Sequence, residues 1–250
     1  MTKRHRRRWP IRFGVSINCG VAEVARLWTV ARKSAKLWRV RLHREIIYAW
    51  GVNMAGRHGH LSRLPDEHYR QQAYVHWTMT TRDRATGWLI PIFYYKFREI
   101  LTHTMFRYGL ACPIYCCMPD HIHFLWVGIL DQADQRLAAR YFRQHINPAL
   151  EKFGARLQRQ PYDHVLREEE RERDAFENVA EYIARNPERA CLVPTDGFRE
   201  YKYTGCLVPG YPELTPWLDD YWERFWRAYS YLRKNGLVRG YDAEVGNAKP

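Results

Sequence analysis

Two histidines separated by one residue, His121 and His123, stand at the start of an apolar run. In an extended strand, side chains alternate between two faces. Both imidazoles would therefore project from one face, while Ile122, Phe124 and Trp126 would be buried on the other. Two imidazoles on one strand face supply half of a metal site. Histidine is also common on half-buried strands, so the pair needs a further partner before it indicates a site.

A tyrosine and an asparagine later in the chain could complete such a site. Tyr182 and Asn186 lie four residues apart in a segment with helical periodicity. Both would lie on one side of a helix, about 6 Å apart along its axis. Each residue also has a structural interpretation, with Tyr182 as a helix core residue and Asn186 as a helix cap.

The elements that must position these residues follow from the periodicity of the apolar residues. The pattern predicts strands over residues 73–80, 111–117, 121–130, 160–166 and 198–207, and helices over 92–110, 131–154 and 168–183, with a last helix opening at Pro216. This order predicts an α+β, ferredoxin/RRM-like antiparallel sheet with helices on one face. The histidine pair would then occupy the other face.

Positive charge is concentrated at the start of the chain. The net charge is +13 over 250 residues, but residues 1–44 hold 13 Lys and Arg against the single acid Glu23, and the remainder holds 27 basic and 26 acidic residues. The predicted domain organisation is a basic arm over residues 1–60, a folded body over 61–214, an aromatic helix packed on it over 215–238, and a tail over 239–250. The high charge is therefore a property of the arm and does not show that the body binds a polyanion.

Two groups of arginines are candidates for contact with nucleic acid. The helix over 131–154 carries Arg136, Arg140 and Arg143 at spacings of four and three, close to one face. They form either a phosphate-facing stripe or an ordinary solvated helix face. The same alternatives apply to Arg6, Arg7 and Arg8, the charged start of the arm.

The six cysteines lack the paired spacing of a zinc ribbon or of a secreted disulfide framework, so we expect them to be reduced and mostly buried. One alternative remains open, a structural zinc site built from Cys116, Cys117, His121 and His123. No window approaches 18 consecutive apolar residues, which favours a cytoplasmic protein without a membrane partner.

Three motifs, in order, resemble those of the REP-associated tyrosine transposases, a branch of the single-tyrosine HUH endonucleases related to insertion-sequence transposases. They are Met118-Pro-Asp-His-Ile-His-Phe-Leu-Trp126, Asp163-His-Val-Leu-Arg167 and Tyr182-Ile-Ala-Arg-Asn-Pro-Glu-Arg-Ala-Cys-Leu-Val193. The resemblance covers residues 61–214, and the ordered set is far more specific than the histidine pair alone.

The resemblance implies the HUH endonuclease fold and a metal-dependent endonuclease and strand transferase acting on single-stranded DNA beside a hairpin. In such a family His121 and His123 would hold Mg²⁺ or Mn²⁺ with help from Asn186, and Tyr182 would be the nucleophile that forms a 5′-phosphotyrosine. The protein would act as a monomer or a homodimer. The family usually has glycine at the position of Cys191, and this departure concerns local helix packing rather than chemistry.

The residue chemistry agrees with that expectation. A divalent cation offsets the charge of a phosphodiester, and a phenol with an ordinary pKa near 10 needs a metal or a base to act as a nucleophile at neutral pH. A second interpretation belongs to another class: a nucleic-acid-binding module without catalysis that uses its sheet and basic arm as a platform.

Overall fold

A computed structural model describes residues 63–237 of the chain. Its helices and strands are, in chain order, β1 (Tyr74–Thr80), α1 (Pro91–Tyr108), β2 (Leu110–Met118), β3 (His121–Gly128), α2 (Gln135–Glu151), β4 (Tyr162–Val165), α3 (Glu168–Arg171), α4 (Arg173–Ala184), α5 (Asn186–Arg189), β5 (Thr204–Leu207) and α6 (Tyr221–Asn235). Short 3-10 turns occupy Asp66–Tyr69, Arg82–Arg84 and Gly197–Glu200.

The five strands form one antiparallel sheet in the order β4-β1-β3-β2-β5. Strands β1 to β4 take the strand order of a ferredoxin-like fold. In this fold α1 connects β1 to β2 and α2 connects β3 to β4, and each connection passes over the one strand that lies between. The predicted α+β antiparallel sheet is confirmed. The strand that carries the histidine pair lies at the centre of the sheet, where its neighbours on both sides hold it in register.

One face of the sheet is covered by α1 and α2, as predicted. Trp77 on β1 and Phe124 on β3 are fully buried there against Phe97 of α1 and Phe142 of α2. Gln135 at the start of α2 accepts a hydrogen bond from Trp77 Nε1 (3.1 Å) and donates to the carbonyl of Ala73 (2.7 Å). These bonds tie α2 to the start of β1 with their polar groups satisfied.

The opposite face is covered as well, by α4 and α6. Phe176 of α4 and Phe225 of α6 are fully buried against Leu125 and Val127 of β3. The aromatic spacing of the last predicted helix therefore serves core packing. This helix begins at Tyr221 rather than at Pro216, with Asp220 at its N-cap position.

Three other predicted boundaries differ from the structure. The helix predicted over 131–154 begins at Gln135, because the Asp134 side chain accepts a hydrogen bond from Leu137 N (2.9 Å) and caps it there. The helix predicted over 168–183 is interrupted at Glu172, whose backbone is extended. The strand predicted over 198–207 is confined to Thr204–Leu207.

The predicted arm over residues 1–60, with Arg6, Arg7 and Arg8, and the predicted tail over 239–250 lie outside the described residues. Among the helices within residues 63–237, none combines the length and the apolar character needed to cross a membrane.

Candidate active site

The histidine pair lies on the sheet face that α4 covers. His121 and His123 alternate along β3 with Ile122, Phe124 and Trp126, which belong to the opposite core. This confirms the predicted alternation. The Nε2 atoms of the two imidazoles approach each other to 3.0 Å.

Asp120 sets the orientation of the first imidazole. Its Oδ1 lies 2.6 Å from His121 Nδ1, and its Oδ2 accepts from Arg84 Nη1 at 3.2 Å. The hydrogen bond to His121 and the charge of Arg84 lower the pKa of Asp120. A carboxylate here holds the imidazole proton on Nδ1 and leaves the Nε2 lone pair directed toward His123. Asp120 also lies in the turn between β2 and β3, so one residue both forms the turn and orients the imidazole.

The two Nε2 atoms fit one divalent cation. Two nitrogens bound about 2.1 Å from an ion at a right angle are about 3.0 Å apart, which is the observed separation. Within residues 63–237, no three His, Cys, Asp or Glu side chains are grouped so as to hold an ion among themselves. An ion on this pair would need further ligands of other types, such as amide, water or phosphate oxygen.

A third histidine, His76 on β1, contacts the pair. Its Nε2 lies 3.1 Å from His123 Nδ1, and Thr78 Oγ1 lies at the same distance from that atom. Desolvation lowers the pKa of His123 well below its usual range, and desolvation with the nearby His164 lowers the pKa of His76 to about 3. Both rings are therefore neutral at neutral pH, which is the form that can bind a metal.

His76 and Thr78 were not predicted as site residues. Their alternation with Val75, Trp77 and Met79 was a signal that they share one strand face. The register that pairs Thr78 with His123 joins residues 45 positions apart, and no local pattern reveals it.

Asp163 and His164, the acid and the histidine of the middle motif, point to opposite sides of the sheet. Asp163 accepts from Arg63 Nε at 3.0 Å and from the Tyr69 hydroxyl, so its contacts are structural. His164 pairs with His76 across β4 and β1, and its Nε2 lies 3.1 Å from both carboxylate oxygens of Glu170.

Tyr182 extends from α4 on the same side of the sheet as the histidines. Its ring meets the ring of His76 edge-on, with 6.5 Å between centroids. The Arg189 guanidinium lies 4.0 Å above the Tyr182 ring, and Arg189 Nη1 donates to the Tyr182 carbonyl at 2.6 Å. Arg189, which the sequence analysis did not single out, thus holds a positive charge against the phenol.

Asn186 lies where α4 ends and α5 begins. Its Nδ2 donates to the carbonyls of Ile183 (2.9 Å) and Tyr182 (3.2 Å). The side chain therefore closes the end of α4. Asn186 is the first residue of α5, whose N-cap position is Arg185, so Asn186 does not cap α5. Its amide oxygen is the atom that could serve as a ligand.

The predicted arginine stripe on α2 lies across the sheet from the histidines. Arg136 pairs with Asp66 and lies above the ring of Tyr69, whereas Arg140 is exposed. Arg143 Nη2 donates to the carbonyl of Gln158 at 2.5 Å. The three arginines of the stripe thus have different environments.

The alternative zinc site is wrong. Cys116 lies in the core beneath α4 and α6, whereas Cys117 lies in the core beneath α1 and α2. The sheet separates their sulfur atoms, so the two thiols cannot bind one ion together with His121 and His123.

No protein-family model matches the chain, and no curated protein matches it. Among solved structures, the chain is similar to that of a REP-associated tyrosine transposase bound to a REP hairpin. The TM-score is 0.48 and the sequence identity 16%, over 59% of this chain and 82% of that chain.

Proposed function

We propose that this protein is a metal-dependent endonuclease and strand transferase that acts on single-stranded DNA beside a hairpin. One observation carries the proposal: Tyr182 shares a sheet face with two imidazoles whose Nε2 atoms are 3.0 Å apart. The ordered motifs around these residues, which resemble those of tyrosine transposases, support the choice of DNA as the substrate.

His121 and His123 would hold the cation, with the amide oxygen of Asn186 as a further candidate ligand. Mg²⁺ or Mn²⁺ bound there would withdraw charge from a non-bridging phosphate oxygen. Asp120 supports this role because it keeps the His121 proton on Nδ1.

Tyr182 would be the nucleophile. Its phenol oxygen would bond to phosphorus while the bond to the 3′-oxygen breaks, and the proton that the phenol loses would be balanced by the proton that the leaving 3′-oxygen gains. The products would be a 5′-phosphotyrosine and a free 3′-hydroxyl, and attack by another 3′-hydroxyl would rejoin the strand without an external energy source. Arg189, 4.0 Å above the ring, would stabilise the negative charge that develops on the phenol.

The test is covalent capture of a hairpin-bearing single strand labelled at its 3′-end, in the presence of Mn²⁺. We expect a denaturation-resistant protein–DNA adduct that is lost with Tyr182→Phe and on chelation of the metal, while binding of the same DNA is retained.

Tyr162→Phe is the matched control. Tyr162 is 41% exposed and pairs with Thr78 across the sheet, so it is a second tyrosine on this face. Adduct formation that persists in Tyr182→Phe and disappears in Tyr162→Phe would contradict the assignment of the nucleophile. Binding without an adduct under any divalent ion would favour the non-catalytic nucleic-acid-binding module.

A further inference from the structure

Four arginines gather at the end of β1, beyond the histidine pair. Arg82 N donates to the carbonyl of Arg156 at 2.7 Å, and the flanking Thr81 and Leu157 form a β-bridge. The half-buried Arg143 reaches this point from α2, with its Nη2 2.5 Å from the carbonyl of Gln158. Burial and the nearby guanidinium groups of Arg63, Arg156 and Arg82 lower the pKa of Arg143.

Carboxylates neutralise only part of this arginine cluster. Arg63 pairs with Asp163, and Arg156 pairs with Glu151 at 2.5 Å on the surface. Among residues 63–237, Arg82 and Arg143 have no carboxylate within ion-pair distance. Two positive charges are thus left beside two others, and such a group of guanidinium charges attracts an anion.

One donor of the cluster is already desolvated without a partner. Arg143 Nε is buried and has no hydrogen-bond acceptor among the described residues. A buried N–H without an acceptor destabilises the folded chain, and does so more when the group is charged. An anion placed beside the guanidinium would satisfy it, and guanidinium groups match the geometry of phosphate oxygens.

The cluster lies close to the candidate active site along the strands, and Arg143 approaches it from the opposite face of the sheet. Thr80, two residues before Arg82, pairs with His121 across β1 and β3. Arg84, two residues after Arg82, pairs with Asp120 at 3.2 Å, and Asp120 contacts His121. The four guanidinium groups therefore lie at the same end of the sheet as the proposed metal ligands.

We propose that Arg63, Arg82, Arg143 and Arg156 bind backbone phosphates of the DNA strand that reaches the histidine pair. The proposal rests on the proposed function for the identity of the ligand. The predicted stripe along α2 joined Arg143 to Arg136 and Arg140. The structure instead places Arg143 beside arginines from other parts of the chain, at the end of β1.

The experiment measures the salt dependence of DNA binding without divalent metal, with every variant built on Tyr182→Phe so that no adduct forms. The probe is a DNA hairpin with a single-stranded tail. Each phosphate contact contributes about 0.7–0.9 to the slope of log K against log salt. We expect Arg82→Ala to reduce that slope by about one contact and to weaken binding several-fold at moderate salt, whereas Arg82→Lys, which keeps the charge, should retain most of the slope.

Arg98→Ala is the charge-matched control. Arg98 is exposed on α1 and lies near β5, since its charge lowers the pKa of Cys206 on that strand. β5 and β4 are the two opposite edges of the sheet. Because all variants keep the basic residues 1–44, a difference in slope reports only the replaced side chain. Equal slopes for Arg82→Ala and Arg98→Ala would overturn the proposal.

The outcome can be separated from that of the proposed function. A reduced slope in Arg82→Ala, together with no adduct from the unmutated chain, would uphold the phosphate site and reject the nuclease. An unchanged slope together with an adduct from the unmutated chain would reject the phosphate site and uphold the nuclease.

Discussion

At the scale of the residue, the candidate site depends on which nitrogen of each imidazole carries its proton. Asp120 accepts from His121 Nδ1, and His123 Nδ1 faces His76 and Thr78. Both Nε2 lone pairs can then face one cation. With those lone pairs 3.0 Å apart, a proton or a cation must lie between them.

Asp120→Ala should weaken metal binding without removing a ligand. Loss of a carboxylate that orients a metal-bound imidazole typically costs about 10–100-fold in metal affinity or activity. We expect a Mn²⁺ titration of adduct formation to shift to higher concentration by that factor, with activity recovering at saturating Mn²⁺. Asp131→Ala, at an exposed acid, is the control. A reduced maximal rate with an unchanged Mn²⁺ midpoint would contradict this role.

His76 should make the stability of the protein depend on pH. In the unfolded chain an imidazole titrates near 6.5, whereas the pKa of His76 in the folded protein is about 3. Between these values the unfolded chain binds more protons than the folded protein. The contribution of His76 to the free energy of unfolding is therefore complete above pH 6.5 and falls as the pH is lowered toward 3, by up to about 1.4 kcal/mol per pH unit.

Denaturant unfolding of the metal-free protein between pH 7 and pH 5 measures this effect. His76→Gln should reduce the dependence on pH, and His103→Gln, at an exposed position on α1, should preserve it. Equal pH dependence in His76→Gln and the parent protein would refute the prediction.

At the scale of the element, the end of α5 contains an unfavourable backbone conformation. Cys191 has φ of +56°, in the left-handed region that glycine adopts readily and other residues adopt at a cost. The motif that the sequence resembles usually has glycine at this position, and glycine would adopt the conformation without that cost. The departure noted in the sequence affects the conformation at a helix end, whereas Tyr182 is nine residues away along the chain.

Cys191→Gly should therefore stabilise the protein. Removing the side chain relieves the left-handed conformation, and we expect the free energy of unfolding to rise by about 1 kcal/mol. Cys191→Ala is the control, since alanine keeps the Cβ atom and the strain. Chemical denaturation measures both variants, and an equal gain from alanine would show that the thiol rather than the backbone is responsible.

At the scale of the whole molecule, the sheet of residues 63–237 separates two cores with different roles. The core under α1 and α2 buries Trp77 and Phe124, which face away from the histidines, against Phe142 of α2. The core under α4 and α6 holds the helix that carries Tyr182, and there Phe176 stacks on Phe225 with 6.4 Å between ring centroids. The position of the candidate nucleophile therefore depends on the packing of the last helix.

Phe225→Ala should destabilise the protein and impair adduct formation together. Truncating a fully buried phenylalanine costs about 3–5 kcal/mol, and here the cavity would open beside Phe176 of α4. Tyr95→Ala, at a residue 71% exposed on α1, is the control and should change the free energy of unfolding by no more than about 0.5 kcal/mol. Unchanged stability in Phe225→Ala would contradict the dependence of α4 on α6.

Local periodicity was sufficient to predict the alternation of His121 and His123 against Ile122, the helix of Tyr182, and an antiparallel α+β sheet, because these features depend on neighbours a few residues apart. Only the tertiary structure placed His76 and Thr78 beside His123 and gathered Arg82, Arg143 and Arg156 at the end of β1. These contacts depend on strand register and on crossovers that join distant parts of the chain. A sequence pattern reports which face a side chain takes, and the pairing of strands decides what that face meets.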